Sequence, residues 1–293
     1  LRVGFHLHPC AFTHAEGMFD APHAEWYPRP MPSSAPPRAL VTGASSGIGE
    51  QLARRLSREG YELVMVARRA AELERVASSL PGPSTWIPAD LTDRAAPAAI
   101  AEALGPRGVD VLVNNAGGGW VGPFAQAPLG RQLEIVDLNV RALVELTHRL
   151  LPPMLARRSG RIAQIASVAG FLPGPLASVY YASKAFVVRH AQALRHELRE
   201  SGVSVTLSCP GPVDTDFQRA SGVRASTPAG ELGRRVGTSA AEVADATVDA
   251  LLGGRFLVVP GATNQALVWL SRWVPDEVLV RVMERLQRAR MDG

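Results

Sequence analysis

The chain has 293 residues, 46% of them apolar and 20% charged, which suits one large soluble domain or two small ones with a sizeable core. Its net charge of +4 is carried by arginine, in scattered pairs such as Arg54-Arg55, Arg68-Arg69, Arg157-Arg158 and Arg234-Arg235, and the lack of a dense basic run argues against a nucleic-acid partner. Cys10 and Cys209 offer neither a disulfide framework nor metal-ligand spacing, no apolar stretch reaches the ~18 residues that span a bilayer, and no secretory signal is visible; a cytoplasmic setting is the expectation.

Residues 1–37 stand apart. They hold His6, His8, His14 and His23, are rich in proline, and show no periodicity, so a disordered or loosely attached extension is expected. The irregular histidine spacing does not suggest a metal site. Met31 lies just before the first strand, so part of this segment is expected to lie upstream of the natural start.

From Arg38 to residue 261 a regular alternation follows. Apolar runs of strand length occur at 39–42, 63–67, 85–88, 109–114, 161–166, 204–209 and 256–260. Segments of helical period separate them, near 47–58, 70–79, 92–104, 130–156, 179–201 and 239–252. In the 130–156 segment, Leu133, Val136, Val140, Leu143, Val144, Thr147 and Leu150 fall on one stripe of a single predicted helix. Near-continuous apolar strands alternating with helices predict a parallel sheet of about seven strands covered on both faces, a doubly wound α/β domain with ligands at the carboxyl ends of its strands. Residues 262–293 predict a helical tail. In it Val278, Leu279, Val282, Met283 and Leu286 oppose Arg281, Arg285, Arg288 and Arg290, a basic amphipathic pattern that suits packing on the domain or on another subunit, or a membrane surface.

The chemistry is concentrated at a few positions. The first strand runs into Gly43-Ala44-Ser45-Ser46-Gly47-Ile48-Gly49, a glycine turn opening a helix, which lets backbone approach a pyrophosphate. No lysine follows it, so it is not a Walker loop. The second strand ends in Ala67-Arg68-Arg69 with no acid to bind a ribose hydroxyl; Arg68 suits a 2′-phosphate, so NADP(H) is expected over NAD(H). The chain's single lysine, Lys184, follows Tyr180 by four residues among thirty arginines. On a helix the two share a face. An ammonium there favours the phenolate, and the tyrosine is expected to have a lowered pKa suited to proton transfer.

In this order the motifs resemble the short-chain dehydrogenase/reductase family from Arg38 to about Pro260: the glycine turn, Asp90-Leu91, Asn114-Asn115-Ala116-Gly117, Asn139, Ser167, Tyr180 with Lys184, and Pro210-Gly211-Pro212-Val213-Asp214-Thr215. The resemblance implies that Tyr180 is the general acid or base and that Ser167 binds the substrate oxygen. Lys184 would lower the tyrosine pKa and hold the nicotinamide ribose, and Asn139 would fix a proton-relay water. It further implies cofactor contacts from Gly43, Ser45, Ser46, Gly47, Ile48 and Gly49 at the phosphates, Asp90 and Leu91 at the adenine, and Asn115, Ala116 and Gly117 at the adenosine ribose. Pro210, Gly211, Val213 and Thr215 would seat the nicotinamide. Pairing through the 130–156 and 179–201 helices, as a homodimer or homotetramer, is implied as well. Trp120, Val121, Phe124, Phe171, Leu172 and Phe217, with a glycine-rich lid at 217–238, suggest an apolar pocket for a carbonyl or alcohol substrate. Two other readings stay open: a redox-silent NADP(H) sensor or scaffold, and a membrane-surface lipid-carbonyl reductase anchored by the tail.

Overall fold

A computed structural model describes residues 35–213 and 238–291. The N-terminal extension up to residue 34, and Asp214, Thr215, Phe217 and most of the expected lid, lie outside the described residues. The strands are β1 (Arg38–Thr42), β2 (Glu62–Ala67), β3 (Ser84–Pro88), β4 (Val111–Asn114), β5 (Gly160–Ile165), β6 (Val203–Ser208) and β7 (Leu257–Val258). They form one parallel sheet in the order β3-β2-β1-β4-β5-β6-β7. The crossover helices are α1 (Gly47–Arg58), α2 (Ala70–Ala77), α3 (Ala96–Leu104), α4 (Leu129–Val136), α5 (Ala142–Ala156), α6 (Ser178–Glu197) and α7 (Ala240–Leu252). The tail adds α8 (Ala262–Leu270) and α9 (Asp276–Met291).

The continuous apolar strands feed both faces because successive side chains point to opposite sides. In β1, Leu40 enters the core shared with α3, α5 and α6, where Ile100, Leu146, Met154 and Val188 are buried. Its neighbours Ala39 and Val41 enter the opposite core with Leu52 and Leu56 of α1 and Val248 of α7. Only β3 at the sheet edge departs from this, with Trp86 exposed. Many of the arginines serve local ion pairs: Glu50 of α1 bonds Arg54 at 2.8 Å and Arg75 of α2 at 2.9 Å.

Two expected elements differ. Residues 90–95 form a turn before α3, because Asp90 accepts from the Thr92 amide at 2.9 Å and Asp93 from the Ala95 amide at 2.9 Å. These side chains offer the backbone an alternative to helix. The predicted single helix over 130–156 is instead interrupted by a π-turn over Asp137–Arg141. The extra residue per turn lets Asn139 face inward, where its amide meets the Gly118 backbone at both ends. The apolar stripe divides with it. Ile135, Leu143, Leu146 and Leu150 are buried, while Leu133, Val136 and Val144 are exposed.

Candidate active site

The site lies along the carboxyl ends of β1, β4, β5 and β6. β1 leads into the glycine turn, and its last residue, Thr42, ties that turn to the loop after β4. The Thr42 hydroxyl donates to the Val113 carbonyl at 3.2 Å and accepts from the Asn115 and Ala116 amides at 3.0 Å each. Asn115 closes the joint by donating to the Thr42 carbonyl at 2.9 Å. Thr42 was not singled out in the sequence, where it reads as a strand residue.

The turn has the shape that a dinucleotide phosphate needs. Gly43 has φ of 67°, and a Cβ on Gly49 would sit 2.1 Å from the Gly43 carbonyl oxygen, so only glycine fits. At the start of α1, Ser46 makes no side-chain cap bond, which leaves the first-turn amides directed outward toward an anion. The Ser46 hydroxyl instead accepts from Arg69 at 2.8 Å, and Ser45 accepts from the same guanidinium at 3.3 Å. Arg69 therefore joins the turn, a role that its place beside Arg68 did not signal.

Arg68 is 70% exposed and lies 4.0 Å from Asp90. Burial acts to raise the Asp90 pKa, but bonds from the Thr92 amide and hydroxyl and the charge of Arg68 outweigh it and hold the carboxyl below its ordinary value. Asp90 is thus an anionic acceptor at the end of β3. Leu91 turns into the core, and its carbonyl accepts from Arg141 at 3.0 Å.

Ser167 follows β5 and caps the short 3₁₀ turn over Val168–Phe171, where its hydroxyl accepts from the Ala169 amide at 3.1 Å. That hydroxyl also bonds the Tyr180 side chain and lies 3.3 Å from the Pro210 carbonyl. Helix α6 carries Tyr180, Ser183 and Lys184. Lys184 is 5% exposed, and its ammonium donates to the Ile165 carbonyl at 3.0 Å. Asn139 is 1% exposed; it accepts from the Gly118 amide at 2.8 Å and donates to the Gly118 carbonyl and the Ser183 hydroxyl, both at 2.9 Å. Gly117 lies against both groups, since a Cβ there would be 3.4 Å from Asn139 Oδ1 and 3.4 Å from Lys184 Nζ.

The electrostatics correct one expectation. Tyr180 is half-buried, and burial pushes its pKa up to about 12. The bond with Ser167 opposes that rise, so the phenol's stabilising partner is Ser167 and not the ammonium. Burial also brings Lys184 down to about 8. With its charge directed at a backbone carbonyl, the lysine does not lower the tyrosine pKa in this arrangement.

The loop after β6 brings Pro210 beside Ser167, where its carbonyl also accepts from the Val168 amide at 3.0 Å. Gly211 packs against Asn264 of α8, and Val213 is buried. Thr215 lies outside the described residues. Among the expected pocket residues, Leu172 and Val121 join a small cluster with Tyr180 and Tyr181. Phe171 packs on the main core, and Phe124 is exposed. Among the described residues no group of histidine, cysteine and acidic side chains could hold a metal ion.

The site residues fit a dinucleotide: a glycine turn without room for side chains, uncapped helix amides, an acceptor at Asp90 and a buried lysine near Gly117. Comparison with known proteins agrees. The family model described as short chain dehydrogenase matches residues 37–224. An uncharacterised oxidoreductase of Staphylococcus epidermidis is 34% identical over 217 residues, covering 73% of this chain and 90% of the relative. A short-chain dehydrogenase from Sphingobium yanoikuyae in complex with NADPH superposes with a TM-score of 0.71 at 30% identity, over 86% of this chain and 95% of that one. A Burkholderia phymatum relative in complex with NAD gives 0.73 at 28% identity, over 82% and 94%. The chain belongs to the short-chain dehydrogenase/reductase family, oxidoreductases that act on alcohol or carbonyl groups with a nicotinamide cofactor.

Proposed function

We propose that the protein is an NADP(H)-dependent reductase of apolar carbonyl compounds, with Tyr180 as the proton donor. The observation that carries this reading is the pairing of the Ser167 and Tyr180 hydroxyls beside a buried Lys184 and Asn139. A substrate carbonyl oxygen placed between the two hydroxyls accepts a hydrogen bond from Ser167 and takes its proton from Tyr180 as negative charge develops. A bound nicotinamide supplies the hydride. Loss of the tyrosine proton leaves a phenolate, which burial disfavours; an ammonium turned from the Ile165 carbonyl toward the site would stabilise it. Asn139 and Ser183, bonded at 2.9 Å on the inner side of α6, keep that side of the site polar.

The choice of NADP(H) rests on Arg68 and Arg69 at the end of β2, where an acid would be needed to favour NAD(H). Reduction is then the working direction. Oxidation of NADPH and NADH, followed with wild type and Tyr180→Phe against apolar ketones, aldehydes and 1,2-diketones, tests the reading. Turnover that prefers NADPH and disappears in the variant supports it; equal turnover by the variant rejects Tyr180 as the acid.

The same reading includes a homodimer or homotetramer. Leu129, Leu133 and Val136 of α4, Val144 of α5 and Phe186 of α6, stacked on His190, are exposed apolar residues on the helices that would pair with a second copy. Sedimentation equilibrium checks it, and a monomer at micromolar concentration removes it. One observation favours a second reading, contact with an anionic membrane: Trp269 and Trp273 are exposed on the tail near Arg272, Arg281 and Arg285. Flotation with anionic vesicles, with and without residues 262–293, decides it.

A further inference from the structure

The tail helix α9 docks through only part of the stripe that its sequence suggests. Val278, Val282 and Leu286 are exposed. The face turned to the domain is Leu279, Met283 and Gln287, spaced four apart. Met283 is buried among Ala169, Leu172, Ala177 and Tyr181, with Leu279, Val121 and Tyr180 packed against the same cluster. The helix thus closes one side of the space next to the catalytic tyrosine.

Its contact is polar at one point. Gln287 is 2% exposed and donates through Nε2 to the Tyr181 hydroxyl at 3.1 Å. The other end of the same amide, Oε1, is buried with no hydrogen-bond partner. Leucine would fill this space without stranding an acceptor, so the amide has a physical rationale only in the bond that it gives Tyr181. Tyr181 is held from its other neighbours as well: Gly174 lies flat on its ring, where a Cβ would come within 2.1 Å, and Tyr180 meets it edge to face at 5.8 Å. Gly174, the second tyrosine and the tail are joined in one unit beside Tyr180.

We propose that Gln287 is a specificity-determining latch: its bond to Tyr181 seats α9 so that Leu279 and Met283 form the far wall of the substrate pocket, fitted to the apolar body of a carbonyl substrate. The inference deepens the proposed reductase reading and rests on it for the substrate. A short substrate reaches Ser167 and Tyr180 without touching this wall; a long one lies against it.

The test is a double-mutant cycle on the full chain. Wild type, Gln287→Leu, Tyr181→Phe and the double variant are assayed with NADPH on a series of 2-alkanones from 2-butanone to 2-decanone. Each single variant should lower kcat/KM on the long ketones by about tenfold, mainly through KM, with a smaller effect on 2-butanone. The double variant should be no worse than either single one, since both remove one bond. Gln287→Glu reverses the bond, its carboxylate accepting from the tyrosine hydroxyl, and should lose less than Gln287→Leu. Effects that are uniform along the series, or that add in the double variant, would overturn the latch. If wild type reduces no ketone, the reductase reading fails instead, and hydrogen exchange decides the latch separately: amides of 276–291 should lose protection in Tyr181→Phe, and unchanged protection overturns it.

Discussion

The cofactor half of the site and its substrate half are held by different means. At the glycine turn, contacts run between backbone and short side chains on adjacent strand ends: Thr42 to Asn115 and Ala116, Gly43 to Val66, Gly49 to Gly43. On the substrate side the contacts run between side chains outside the sheet, as in the bond from Gln287 of the tail to Tyr181 of α6. The first half is set by the sheet register, which allows little variation. The second depends on individual side chains that can change without disturbing the sheet. A fixed cofactor frame with an exchangeable wall is how one fold serves many substrates.

The largest effect is expected where the halves meet. Tyr180→Phe keeps the ring and its packing but removes the proton, so kcat should fall by about 10²–10⁴-fold. NADPH binding, read by cofactor fluorescence, should hardly change. A comparable loss of cofactor affinity would mean that the tyrosine belongs to the frame and that the division is wrongly drawn.

Breaking the frame itself should look different. In Gly49→Ala the new methyl would lie 2.1 Å from the Gly43 carbonyl and 2.5 Å from the Asn115 amide nitrogen, so backbone has to move. Overpacking of this kind costs about 1–3 kcal/mol. Urea unfolding should show that loss, together with loss of NADPH binding and no selective effect on any ketone. Normal cofactor affinity in a stable variant would remove the tight turn from the argument.

Lys184 sharpens the comparison through pH. Its ordinary value of 10.5 is brought down to about 8 by burial, so below pH 8 the folded state bears an unfavourable buried charge. As pH rises from 8 toward 10.5 the folded lysine loses its proton before the unfolded one, and stability should increase. Tyr180 acts in the opposite sense. Its value rises from 10.0 to about 12, so the stability it contributes is complete below pH 10 and is lost as pH approaches 12. Wild type should therefore become more stable from pH 8 to 9; above 9 the buried Cys209 thiol, pushed up from 9.0 to about 12, opposes the gain, and beyond 10 Tyr180 adds to the loss. Lys184→Met should remove the increase and be more stable at pH 7, on the order of 2 kcal/mol, while losing activity. Denaturation at several pH values checks both signs; a variant less stable at pH 7 would mean that the bond to Ile165 outweighs the buried charge.

What could be read in the sequence follows the same division. Strand periodicity, the glycine turn and the spacing of Tyr180 and Lys184 are local patterns: the strands form the expected parallel sheet, the turn opens α1, and Tyr180 and Lys184 lie one turn apart on α6. The π-turn at Asp137–Arg141 was hidden because Asn139 fits an unbroken helical period equally well; what breaks the helix is the reach of its amide to Gly118, on a different segment. The tail was legible in part: Leu279 and Met283 of the expected stripe face the domain, while Val282 and Leu286 do not. The third docking residue is Gln287, because a partner hydroxyl on Tyr181 favours a buried glutamine that hydropathy alone would place outside. The tyrosine pKa could not be read either, since spacing shows that Tyr180 and Lys184 share a face but not that the ammonium is directed at Ile165.

The smallest expected effect concerns the rim of the frame, where two adjacent arginines are held unequally. Arg69 is bonded to Ser45 and Ser46 and is part of the turn. Arg68 extends into solvent, and its charge partner among the described residues is Asp90 at 4.0 Å, a distance at which an exposed pair contributes little to stability. An exposed guanidinium beside the end of β2 has little structural use but suits a 2′-phosphate, which it can bind through charge-assisted bonds. Arg68→Ala should raise KM for NADPH by about tenfold and leave KM for NADH and the unfolding midpoint unchanged. Arg69→Ala should weaken both cofactors, because it loosens the turn that both share. The pair of variants separates recognition from scaffold within two residues: if Arg68→Ala affects NADPH and NADH equally, the arginine serves only its charge partner Asp90, and preference for the phosphate has to come from the turn.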